Sequence, residues 1–115
     1  MVNSSHTLRR GEIWLAQFDD TVNATPQNTR LCVVVSPDEM HQHLHSVMVA
    51  PMTTRTQAAP FRIAITFEGK TGLILLDQIR TLDKMRLVVK KGEVEPAVLR
   101  SALNVLHEIF ALTTI

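Results

Sequence analysis

One cysteine in 115 residues excludes an internal disulfide framework, and no apolar run approaches the roughly 20 residues that a membrane-crossing helix requires. The opening MVNSSHTLRR lacks the apolar centre of a secretory leader, so a cytoplasmic location with no membrane partner is the expectation. There is no internal repeat and no low-complexity tract. The formal net charge is only +1, which does not mark the whole chain as a nucleic-acid binder. The distribution is less even than the total. Arg80, Lys84, Arg86, Lys90 and Lys91 stand against Asp83 alone, which reads either as a solvated strand edge or as a local surface for phosphates.

What is present is enough for one core. Hydrophobic residues make up 45% and charged residues 20%, a balance that argues against wholesale disorder. Residues 1–8 read as a flexible N-terminus and 9–115 as a single domain, because two halves of this length would each be short of core. Glu12–Phe18 is the first strand candidate, and Asp19–Thr29, rich in Asp, Asn, Thr and Pro, reads as a long exposed loop. Leu31–Ser36 is a β-branched run suited to a strand buried on both faces. Cys32 sits inside it as a packing residue, not a reactive thiol. Pro37–His45 reads as a polar connection, and Val47–Met52 resumes the sheet with Pro51 implying an edge or a strand end. Phe61–Phe67 alternates with period two. Leu73–Ile79 is the next strand, and Met85–Val89 offers a short last one. Glu95–Leu112 carries apolar residues at helical spacing after Pro96, which suits a first helical position. Sequential short strands followed by one amphipathic helix predict a mainly β fold, a small antiparallel barrel or half-open sheet with the helix over one face or end.

Two constellations could carry chemistry. His41, His43 and His45 would share one side of an extended segment, a conceivable zinc arrangement. Without an evident fourth ligand they read instead as an exposed polar loop, and no metal is assigned. The second is a set of polar residues at strand ends: Arg30; Thr53, Thr54 and Arg55; Asp77, Gln78 and Arg80. Such groups often line the mouth of a small barrel, though each could equally cap or solvate its own strand.

Several of these residues fall in segments that, in order and spacing, resemble the MazF/PemK family of type II toxin–antitoxin ribonucleases from Arg10 to about Leu112. Arg10-Gly11-Glu12-Ile13-Trp14 resembles the family's opening RGE/D-I/V-W. Arg30 followed by Val33–Pro37 resembles RP-x-x-V-V-S-P, and Val49–Thr53 resembles the V-x-P-I-T strand end. Ala59-Pro60-Phe61 fits the approach to the next strand. The segment Gly72–Lys84, the longest match, resembles SGVVLxDQIRTLDK. The resemblance implies an SH3-like antiparallel β-barrel with a C-terminal helix, of the CcdB/PemK/MazF type. It further implies a homodimer that cuts single-stranded RNA, mRNA included, at short motifs without metal or other cofactor, inhibiting translation and growth. A cognate MazE/PemI-like antitoxin would block the RNA site.

By motif position the family's catalytic arginine and threonine fall on Arg30 and Thr53. The reaction is attack of a ribose 2′-OH on the adjacent phosphorus, for which a guanidinium supplies positive charge and a hydroxyl orients the phosphate. Gln27, Thr54, Arg55, Asp77, Gln78 and Arg80 fall where RNA-binding residues are expected, with Asp77 and Gln78 suited to base recognition or to holding the site. The chain departs from the pattern in two places. Ala24 and Leu75 replace the histidine and arginine of the Kid/PemK branch, leaving the Arg30/Thr53 scheme. The loop before Arg30, Asn23–Thr29, retains only Gln27 of the family's polar motif, and Leu31 follows Arg30. Two alternatives follow: a family member that binds RNA or antitoxin without cleaving, and a CcdB-like gyrase poison. Against the latter, those poisons typically end Trp-Gly-Ile, whereas this chain ends Ala111–Ile115.

Overall fold

A computed structural model describes residues 7–19, 28–54 and 57–113. Seven strands, β1 (Glu12–Gln17), β2 (Thr29–Val34), β3 (Ser46–Thr53), β4 (Arg62–Phe67), β5 (Lys70–Leu75), β6 (Arg80–Asp83) and β7 (Leu87–Glu93), form one antiparallel sheet. They run in the order β4-β5-β3-β2-β1-β7, with β6 also on β3. Helix α1 (Asp38–His43) joins β2 to β3, and α2 (Pro96–Phe110) ends the fold. β4 and β7 stand at opposite ends of the strand order, yet they meet. A Cβ built on Gly92 of β7 would lie 3.3 Å from the Phe67 ring, and Lys91 stands 3.9 Å from the Glu68 carboxylate. The sheet is thus curled into the half-barrel that the short strands predicted.

The curl creates two cores. Trp14, Ala16, Phe18, Cys32, Val34, Val47, Val49, Leu82 and Leu87 pack on one face. Ile13, Val33, Val35, Ala50, Ile65, Ile74 and Leu76 pack on the other, beneath Val98, Ala102, Val105, Leu106 and Ile109 of α2. Alternation along β1, β2 and β3 divides their residues between the faces. Ala102 is the buried residue of this stripe, and Val98, Val105, Leu106 and Ile109 are partly buried. Each contributes part of the roughly 1.5–3 kcal/mol of a fully buried aliphatic side chain, so together they hold the helix to the sheet.

Several expectations are corrected. Pro37–His45 is not simply a loop: it contains α1, and His41 is buried rather than exposed. Its Nδ1 donates to the Leu8 carbonyl (3.0 Å), which leaves Nε2 to accept from the Ser36 hydroxyl (2.7 Å). Leu8, placed by its polar neighbours in a flexible terminus, is therefore anchored in the core. Of the two readings of Pro51, the strand end holds and the sheet edge does not: it lies near the end of β3 at the last pair with β2, in a strand with neighbours on both edges. Leu73–Ile79 is not one strand. β5 ends at Leu75, a 3₁₀ turn spans Leu76–Gln78, and β6 follows. The register of β6 on β3 is offset from that of β5 by the three residues of this turn, so Asp77 and Gln78 are looped out. The last strand also runs further than expected, from Leu87 to Glu93. No helix among the described residues is long and apolar enough to cross a membrane.

Candidate active site

β3 lies between β2 on one edge and, on the other, β6 followed by β5. Its pairing with β2 runs as far as Cys32 opposite Pro51. On the other edge β6 pairs up to Val49 and β5 takes over at Met52 and Thr53, so Pro51, with no N–H to give to a ladder, stands where that edge changes partner. Beyond it the ends of β2 and β3 are no longer paired, and a gap opens between them. Continuing the β2–β3 register past Cys32 sets Arg30 across from Thr53, one on each side of that gap.

The gap is the mouth of a cavity of about 550 Å³. Arg30 and Leu31 line it from β2; Met52, Thr53 and Thr54 line it from the end of β3. The β4–β5 hairpin closes the far side with Ile65, Phe67, Glu68, Lys70 and Gly72. Glu68 (φ 51°) and Gly69 (φ 78°) form the two-residue turn between these strands, both with the positive φ of the tight turn that matches strand twist. The cavity thus combines an apolar floor with two cations, a carboxylate and two hydroxyl side chains at its rim. Gly72 packs tightly against Thr53 on the neighbouring strand: an ideal Cβ there would lie 2.5 Å from the Thr53 carbonyl oxygen.

Register also decides what stands beside Arg30. Ala16 is opposite Arg30, so Phe18 lies on the same face one step on, and Arg80, opposite Val49, shares that face. The Arg30 guanidinium carbon is 5.5 Å from the Phe18 ring centroid and that of Arg80 is 5.2 Å from it. Neither guanidinium has a carboxylate or hydrogen-bond acceptor among the described residues. The other cations of the basic run are engaged: Lys84 donates to the His41 carbonyl and Arg86 to the Asp19 carbonyl, Lys90 lies 3.2 Å from Glu12 and Lys91 faces Glu68.

The structure therefore brings Arg30, Thr53 and Thr54 together in one cavity and sets Arg80 beside it. Asp77 and Gln78 do not line the cavity. Asp77 is held by Arg62 through two hydrogen bonds of 3.2 Å, which keep its carboxyl below the usual range despite some desolvation. Gln78 is exposed on the looped-out turn. Gln27 and Arg55 lie outside the described residues. Among the described residues the histidines form no metal-ligand group: His41 is committed to Leu8 and Ser36, while His43 and His45 are exposed. Cys32 is wholly buried, and desolvation pushes its thiol up to about 12 against the opposing effects of a backbone hydrogen bond at Trp14 and the Arg30 charge. Sequence reasoning missed Phe18, Phe67, Glu68 and Lys70. Only the period-two pattern of β1 signalled Phe18, and it signalled a core residue.

The family model for the PemK-like, MazF-like toxins of type II toxin–antitoxin systems matches residues 9–110. The chain belongs to this family. An endoribonuclease MazF from Staphylococcus saprophyticus is 29% identical over 94% of the toxin and 95% of its own length. Among solved structures, an endoribonuclease in complex with its cognate antitoxin from a mycobacterial species superposes with a TM-score of 0.76 at 23% identity. That match covers 94% of the toxin and 99% of the other chain. A MazE–MazF crystal structure from Deinococcus radiodurans gives 0.74 at 21% identity, covering 95% and 100%. These superpositions establish a shared fold, the half-barrel with its C-terminal helix.

Proposed function

We propose that the toxin is an endoribonuclease that cuts single-stranded RNA in the gap between β2 and β3, with Arg30 and Thr53 as its catalytic pair. The observation that carries this reading is the placement of an unneutralised guanidinium and a hydroxyl side chain on opposite sides of one cavity. The ribose 2′-oxygen bonds to the adjacent phosphorus and its proton passes to solvent. The bond from phosphorus to the 5′-oxygen breaks, and that oxygen takes up a proton. The products are a 2′,3′-cyclic phosphate and a 5′-hydroxyl.

Arg30 stabilises the negative charge that grows on the phosphorane oxygens, since its planar fork can hold two of them. It acts by charge rather than by proton transfer, because a guanidinium does not give up its proton in this range. Thr53 orients the phosphate. Thr54 and Lys70 contact the flanking nucleotides, Arg80 takes a neighbouring phosphate, and the Asp77–Arg62 pair holds the turn beside the site. A base seats on the apolar floor of Leu31, Met52 and Phe67. The similarity to a relative crystallised with its antitoxin supports a cognate antitoxin as partner, and the family supports a homodimer working in the cytoplasm.

Incubation of the purified toxin with a long RNA in EDTA, followed by mapping of the cut ends, tests this. Cuts recurring at one short motif are the expected result. An intact RNA, or cutting that needs added metal, would overturn it. Binding without cutting would instead favour the non-cleaving alternative.

A further inference from the structure

We infer that Phe18 is a positioning residue of the RNA site, whose buried ring holds Arg30 and Arg80 together as a two-arginine receptor for phosphodiester groups. The inference rests on the ribonuclease reading above for its substrate. The Phe18 ring is only 6% exposed and is fixed in the core by Trp14, Val34 and Leu87 among others, so it cannot follow a mobile side chain. Both guanidiniums rest on it, at 5.5 and 5.2 Å from one centroid, within the range over which a cation is drawn to an aromatic face. The manner of attachment matters. A carboxylate would neutralise each arginine and occupy its N–H groups. A ring face orients the guanidinium while leaving every N–H free for an incoming anion. Two like charges gathered on one ring, with no carboxylate among the described residues to offset them, form a site whose repulsion an anion relieves.

The placement fits the cavity. Arg30 reaches its rim, whereas Arg80 enters from β6 on the same face of the sheet and stands outside it. A strand bound with one phosphate at Arg30 thereby runs from Lys70 on the opposite wall out past Arg80. Phe18 touches no substrate here; it acts through the two arginines.

The probe is a fluorescent single-stranded oligoribonucleotide with 2′-O-methyl riboses, which lack the nucleophile, so binding is read apart from cleavage. Phe18→Leu keeps an apolar side chain and removes the ring. It should weaken binding about fivefold, the order of a partly exposed cation–π contact. It should also flatten the dependence of log affinity on log salt by about 0.7 for each phosphate that the arginines no longer hold. Phe18→Tyr should restore both. In an Arg80→Met background Phe18→Leu should cost less than in the wild type. Wild-type affinity and slope in Phe18→Leu, or the same loss in both backgrounds, would overturn the inference. Should Phe18→Leu not fold, NMR of the wild type decides. The Nε–H signals of Arg30 and Arg80 should both move on adding the oligonucleotide, and an unmoved Arg80 signal would overturn the inference. RNA cleavage with an unmoved Arg80 defeats this inference alone. Two moving signals without cleavage of natural RNA defeat the catalytic reading alone.

Discussion

Gly72 and Thr53 approach so closely that there is no room for a side chain between them: a Cβ on Gly72 would sit 2.5 Å from the Thr53 carbonyl oxygen. The obstacle is backbone, not the end of a flexible side chain, so it cannot swing away. Gly72→Ala must displace the end of β3, and with it Thr53. The expected outcome is a stability loss of about 1–3 kcal/mol, the usual cost of overpacking, in urea unfolding. The cleavage rate should fall at least about tenfold even in the folded fraction, because a displacement of this size degrades alignment at a reacting centre. Full activity in Gly72→Ala would mean that the Thr53 backbone need not be held where it is.

The Arg62–Asp77 pair, 3.2 Å apart and partly exposed, gives a pH-dependent prediction. The folded carboxyl is held below its unfolded value, chiefly by the hydrogen bonds from Arg62. Its contribution is therefore complete above the unfolded value, about pH 4, and is lost as the pH falls through the depressed folded one. Asp77→Asn should lower stability by no more than about 1 kcal/mol at pH 7, as exposed pairs do. The gap to the wild type should narrow only below about pH 4, as read by denaturant unfolding across pH. A gap that widened under acid would contradict the assignment.

Glu12 is 1% exposed, accepts the Trp14 indole N–H at 2.9 Å and faces Lys90 at 3.2 Å. Burial alone would lower the Lys90 ammonium, but Glu12 and Glu93 together raise it above its ordinary value. Removing Lys90 takes away the cation that stands 3.2 Å from a buried carboxylate. Lys90→Met should cost about 3 kcal/mol, near the lower end for breaking a buried pair because Lys90 is itself partly solvated. Adding Glu12→Gln should recover part of that loss, since the amide oxygen can still accept from Trp14. Calorimetric unfolding of the single and double variants checks both statements.

The Cys32 thiol, pushed up to about 12 by burial, should not react with Ellman's reagent in the native toxin at pH 8. It should react stoichiometrically once unfolded in guanidinium. Rapid native labelling would show that β2 opens.

The segments that revealed the family are mostly those that build its fold. In the opening Arg10–Trp14, Arg10 donates to the Val35 carbonyl, its N–H caps onto Asp38, and Glu12 binds Trp14 and Lys90. Such a motif is legible because burial and charge pairing tie each residue type to its place. The strands and α2 were legible for the same reason, through period-two and helical apolar patterns. The change from β6 to β5 along one edge of β3 at Pro51 was not, because a proline reads locally as an edge or a strand end whatever the neighbouring strands do. Nor did periodicity reveal α1, which is short and polar. The basic run from Arg80 to Lys91 could be read either as a solvated strand edge or as a phosphate surface. Four of its five cations turn out to be engaged by groups distant in sequence, which composition cannot show. Arg30 and Thr53 were found through motif position. Their convergence across the gap follows from a register that only the folded sheet supplies.

The most direct test of the Arg30/Thr53 reaction uses one RNA containing the mapped cleavage motif, with and without a single 2′-deoxy substitution at the nucleotide that would supply the nucleophile. In EDTA the toxin should cut the all-ribose RNA to a 2′,3′-cyclic phosphate and a 5′-hydroxyl, identified by mass spectrometry, and should leave the substituted RNA intact. Arg30→Ala and Thr53→Ala, shown to be folded by calorimetry, should each lose about 100-fold or more in rate, the scale on which a preorganised transition-state contact contributes. Cleavage of the 2′-deoxy RNA, or an undiminished rate in either variant, would contradict the account.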